Sequence, residues 1–259
     1  MIALRTAFLL LCAALPLAVH AGRSCEHKPM TTEAVVRGLN LAAKTMAALD
    51  ASGAKVVVLA RAGQDLTKYN LRYSHVGLAY STPDGWRVLH KLNACGTSTS
   101  NLYEQGLGEF FLDDPWRYEA AWAVPSHAVQ DKVHALLNSG VRATSLHQPQ
   151  YSLVSYAWGT KYQQSNQWAI ETLALAMEPS VQTRSQAQMW LQQAKYEPTT
   201  LTLRPLTRLG GRVSAANVAF DDHPDNKRFS DKIETVTADS VFVWLERERL
   251  TGPLVVLAE

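Results

Sequence analysis

Three side chains of this sequence could together carry out acyl transfer: Ser165, His75 and His90. Ser165 stands where an almost wholly apolar run, Trp168 to Met177, would begin as a helix. The first-turn N–H groups of a helix are unpaired and its dipole is positive there, so a side-chain oxygen at that place is either a cap or a nucleophile. In the second case a strand histidine, His75, takes the hydroxyl proton, and a second polar residue, His90, fixes the tautomer of its ring. N–H groups near Asn166 and Gln167 could hold a developing oxyanion, with Tyr73 as a further lining residue. A serine needs a strong base beside it, because its pKa lies far above that of a thiol. The plainer readings are a helix-capping Ser165 and two structural strand histidines.

Other residues could do different chemistry. Asp221, Asp222 and His223 form a dense polar turn and are weak metal candidates, since three residues in one turn lack the ligand spacing of a zinc site. A hydrogen-bonded turn network is the favoured reading, and no motif asks for a cofactor. Cys25 and Cys95 are expected to pair, closing a long loop worth roughly 3–4 kcal/mol on the chain-entropy model. The alternative is a reactive Cys95 aided by His90.

These residues need elements to hold them. Thr31 and Thr32 can cap a helix with Glu33 in its first turn, and Val35, Leu39, Ala43, Met46 and Leu49 continue it at helical spacing. Lys55 to Ala60 reads as a buried strand. Arg72 to Tyr80 is a second strand, with His75, Gly77 and Ala79 on one face and Val76, Leu78 and Tyr80 on the other. The turn Thr82-Pro83-Asp84-Gly85 returns it through Trp86 to Leu92, which carries His90. Leu107 to Trp116 is mixed, Glu119 to Val124 is a strand, and Pro125 to Leu137 is a helix stopped by Gly140. Tyr151 to Tyr156 reads as extended. The helix after Ser165 is apolar on most faces and therefore buried. Ser185 to Ala194 is another helix, and Leu201 to Arg204 a short strand. Gly210-Gly211 would open a C-terminal segment, with Val213 to Phe220 and Val241 to Leu245 as strands. The fold class is α+β.

A balance of 25 basic against 23 acidic residues gives no electrostatic footprint for nucleic acid. Arg5, the apolar run Ala7 to Leu17 and the small residues of Val19-His20-Ala21 read as an export signal cut after Ala21, too short for the roughly 20 residues that span a bilayer. Cys12 leaves with it. No other stretch could span a membrane, so the expected location is periplasmic or secreted. Residues 22–259 then make one domain, a core over 31–200 and a C-terminal β extension over 201–259.

Ser74-His75-Val76-Gly77-Leu78, Gly85 to His90 and Gln164-Ser165-Asn166-Gln167-Trp168-Ala169 resemble, in that order, motifs of the circularly permuted NlpC/P60 branch of the papain-like superfamily. The resemblance implies a papain-like core of antiparallel sheet packed on helices. The departure is that the cysteine place holds Ser165, or Asn166 if the register shifts by one. Segments spread over nearly the whole mature chain are also similar to DUF2145, a family of exported bacterial proteins of unknown function. They are Arg61 to Leu66, Leu71 to His75, Leu92 to Thr97, Ser165 to Trp168 and Phe220 to Pro224. Two functions follow as expectations. One is a non-catalytic descendant binding an envelope peptide, lipid or partner in the groove, which the missing thiol favours. The other is a serine-dependent hydrolase or acyltransferase acting on an amide or ester bond of cell-wall peptide or lipid.

Overall fold

The computed structural model describes residues 29–113 and 115–259. The segment read as an export signal, with Cys12, and the expected disulfide partner Cys25 lie outside the described residues. The first helix, α1 (Thr32–Ser52), starts where Thr31 Oγ1 accepts the N–H of Ala34 at 3.1 Å. It ends on Gly53, whose φ of 65° is left-handed.

Six strands form the main sheet: β1 (Val56–Ala62), β2 (His75–Thr82), β3 (Gly85–Asn93), β4 (Ser100–Gly106), β5 (Arg117–Ala123) and β8 (Val255–Ala258). Their order is β4-β3-β2-β1-β5-β8, and every neighbouring pair is antiparallel. Strand alternation sorts the side chains into two cores. Val56, Val58, Ala60, Val76, Leu78 and Tyr80 point to one face, covered by α3 (His127–Leu137), α5 (Ser165–Met177), α6 (Arg184–Gln193) and α9 (Ala238–Arg247). Val57, Leu59, Ala79, Trp86 and Val88 point to the other, covered by α1 and α2 (Leu107–Leu112). The helix α4 (Val141–Thr144) follows α3. A two-stranded sheet, β6 (Thr199–Thr202) with β7 (Lys232–Thr235), sits beside the main one, with α7 (Pro205–Ser214) and α8 (Asp225–Arg228) in the connection. The molecule is thus a mixed α+β protein with a six-stranded antiparallel sheet packed against helices. Among the described residues no helix is long and apolar enough to cross a membrane.

Several local expectations are corrected. Val241 to Leu245 is helical, because Thr237 and Ser240 close a reciprocal capping box and Val241, Phe242 and Leu245 fall on one buried helical face. Val213 to Phe220 is the end of α7 followed by turns, and Gly210-Gly211 lies inside that helix. Tyr151 to Tyr156 is irregular. The segment 201–259 is mixed in structure, and β8 joins the main sheet beside β5.

A split sheet end as the candidate functional site

The pairing of β2 with β3 runs from Thr82 opposite Gly85 to Leu78 opposite Leu89 and then stops. The same register would set Val76 against Lys91, but their backbone groups bond elsewhere. The Val76 N–H donates to Asn166 Oδ1 at 2.9 Å, and the Lys91 carbonyl accepts from Ser165 Oγ at 2.7 Å. Asn166 Nδ2 also reaches the Ser74 carbonyl at 3.4 Å. The first turn of α5 is therefore a wedge. Its two polar side chains satisfy a donor and an acceptor that the sheet ladder would otherwise have paired. The helix cap itself is Gln164, one residue before Ser165; its Oε1 accepts the Asn166 N–H at 2.8 Å, and its Nε2 binds the Val236 carbonyl. The bond from the Asn166 N–H to Gln164 Oε1 occupies one of the two N–H groups expected to serve an oxyanion.

On the opposite face of the sheet, two imidazoles bridge the same gap. His75 Nε2 and His90 Nδ1 are 2.8 Å apart, and His90 Nε2 lies 2.7 Å from Gln105 Oε1. The amide oxygen only accepts, so His90 Nε2 carries a proton. A neutral His90 then accepts at Nδ1, and His75 Nε2 donates. This leaves His75 Nδ1 as an unprotonated lone pair, with no hydrogen bond among the described residues. Both rings are neutral. Burial first, then the Arg61 guanidinium, hold His75 well below the usual imidazole range and His90 down at about 4. Phe110 of α2 lies beneath both rings, at centroid distances of 5.9 and 5.2 Å. Buried Arg61 sits over the Phe110 ring and bonds the Phe110 carbonyl and Asp113.

Where β2 and β3 part, a cleft of about 410 Å³ opens. Ser74, His75, Ser165, Asn166 and the hydroxyl-bearing Tyr151 line its polar end. Leu66, Leu71, Leu153, Leu203, Phe220 and Val218 line an apolar side, built on the small core of β6 and β7. The structure thus brings Ser165, His75, Asn166 and Tyr73 to one cleft. Ser165 and His75 enter it from opposite faces of the sheet, and no hydrogen bond joins them. His90 is wholly buried behind His75. Gln167 is buried away from the cleft, where its side chain bonds Ser155 Oγ and the carbonyls of Tyr156 and Ala157.

The remaining candidates stand apart. Asp222 bonds the Tyr156 N–H at 2.8 Å and His223 Nδ1 at 2.9 Å, while Asp221 holds Lys161 and Tyr162, so the segment is a latch between two loops. Among the described residues no group of three or more metal-ligating side chains converges. Cys95 lies in an exposed turn and is not without a partner; Cys25 is outside the described residues. Sequence reading missed Gln105, because β4 is a polar edge strand, and it missed the structural tie made by Asn166. Behind the site, buried Lys91 donates to the Gln148 carbonyl and to Gln163 Oε1. Gln163 continues to buried Glu171, which Arg184 grips with two bonds of 2.7 and 3.1 Å.

Fold and site together define an α+β protein whose sheet is wedged open at one end to form a partly apolar cleft. The chain belongs to the DUF2145 family, described as uncharacterized proteins conserved in bacteria, whose profile matches residues 48–245. No curated protein and no solved structure matches the chain.

Proposed function

We propose that this is an exported binding protein of the bacterial cell envelope, with a degenerate papain-like site that holds a ligand without cleaving it. The ligand is amphiphilic: an apolar chain against Leu71, Leu153 and Phe220, and an amide or carboxyl head at the polar end. One observation carries this reading. The Ser165 hydroxyl donates its hydrogen bond to the Lys91 carbonyl at 2.7 Å, whereas a nucleophilic serine must direct it to a base that can take the proton. The nearest imidazole in the cleft, that of His75, belongs to the other sheet face. Its free Nδ1 lone pair suits a ligand N–H or O–H donor. The papain-like relation is supported by the antiparallel sheet and by a buried helix whose first turn meets the histidine strand.

The lone pair on His75 Nδ1 also supports a second reading, a serine-dependent hydrolase or acyltransferase in which Ser165 turns to His75. A serine-directed fluorophosphonate separates the two. The binder leaves wild type unlabelled and takes up a fluorescent fatty-acyl probe, which Leu153→Glu at the cleft edge excludes. Labelling of wild type that is lost in Ser165→Ala would establish the hydrolase instead. Absence of both labelling and uptake would sink both readings.

A further inference from the structure

The helix α7 has two faces with different jobs. Thr207 and Gly211 line the cleft. Directly opposite them, Leu206, Leu209 and Val213 recur at helical spacing and are 82%, 59% and 80% exposed. Isolated exposed apolar residues are ordinary, but three on one outward helical face form a stripe that water does not favour. Phe229, 78% exposed, follows α8. Arg208 binds the carbonyls of Arg228 and Ser230, which ties that turn to α7.

Charge says what covers this stripe. From Arg204 to Ser214 the chain carries Arg204, Arg208 and Arg212 and no acid. Arg208 is turned inward, while Arg204 and Arg212 are exposed at either end. The exposed acids nearest in sequence, Glu197 and Asp221, lie outside the helix and pair with Arg247 and Lys161. Gly210 and Gly211 make the helix intrinsically weak, so a surface that takes up its apolar face would stabilise it. An apolar stripe on a basic, acid-free helix fits the boundary of an anionic lipid bilayer, where buried apolar area and attraction to the headgroups add.

We propose that α7 is a membrane-docking helix that seats its outward, cleft-averted face on an anionic phospholipid surface. The proposal extends beyond ligand binding in the cleft and stands without it.

Flotation with vesicles tests it. The purified protein is expected to bind vesicles of mixed phosphatidylglycerol and phosphatidylcholine far better than phosphatidylcholine alone, and less as salt rises. L206E/V213E and R204E/R212E should each weaken binding about tenfold or more, while Val141→Glu, on an exposed apolar residue of α4, should not. These side chains face solvent, and an unchanged thermal midpoint checks that the variants fold. Failure of wild type to float, equal flotation of L206E/V213E, or equal weakening by Val141→Glu would overturn the proposal. So would a concentration-dependent dimer abolished by L206E/V213E without vesicle uptake, which would assign the stripe to a second copy of the chain. Uptake of the fatty-acyl probe without vesicles reads the cleft separately and should survive in L206E/V213E.

Discussion

Val76 and Lys91 stand where two ladder partners should meet, yet each bonds a side chain from the first turn of α5. A wedge of this kind has a measurable worth. Removing Ser165 Oγ deprives one carbonyl of a neutral hydrogen bond, so Ser165→Ala should cost about 1 kcal/mol. Asn166→Ala leaves the Val76 N–H unpaired in a buried place and should cost about 2–3 kcal/mol. Urea unfolding checks the order. Equal and negligible losses would mean that β2 and β3 zip together when the wedge is gone.

The neutral histidine pair makes stability depend on acid. Their folded pKa values lie below the unfolded value of 6.5, so between pH 6.5 and about 4 the unfolded chain binds more protons. Stability is therefore full above 6.5 and falls as pH drops through that window. His147, held down to about 4 by burial and then by Lys91, adds to the same loss. Denaturation midpoints from pH 7 to 4 should show a shallower decline in His90→Gln than in wild type. An unchanged slope would place the loss elsewhere.

How much of this was readable beforehand follows from the kind of signal each part leaves. The strand carrying His75, its two faces and the hairpin to His90 were legible, because turn formers and period-two alternation mark them. So was the buried helix after Ser165. The strand β4 was not, since its Ser100-to-Gly106 run is polar at a sheet edge, and Gln105 went unseen with it. The helix α9 looked like a strand because Val241, Phe242 and Val243 favour β structure locally, and only the Thr237–Ser240 cap and tertiary burial reverse that. The facing of Ser165 and His75 depends on which face of β2 receives α5, and no local pattern encodes that.

Gly77 leaves space that the histidine pair needs. A Cβ there would lie 2.5 Å from Val88 Cγ1 and 3.2 Å from His90 Cβ. Gly77→Ala should therefore destabilise by about 1–3 kcal/mol, with Val88 and His90 displaced. Thermal unfolding measures the loss, and the histidine ring signals in NMR should shift with it. A neutral effect would show that β2 can move away from β3.

The network behind the site is a second test of packing. Arg184→Ala would leave Glu171 buried with only the amides of Gln163 and Gln188 as partners, at a cost of about 3–5 kcal/mol. Adding Glu171→Gln should recover part of that loss, because the buried charge disappears. A double variant as unstable as the sum of the two single ones would argue against this coupling.

Strand parity gives the sheet one more consequence. Along β2, Val76 points toward α5 and His75 points away, so the imidazole and the Ser165 hydroxyl miss one another by a single step of backbone alternation. One residue inserted between His75 and Val76 as a bulge would turn the ring to the other side without changing its chemistry. Which of these two side chains can face the other is therefore set by odd or even count before it is set by which residue types are present. Fluorophosphonate labelling of an insertion library at that position would show whether facing alone makes Ser165 reactive.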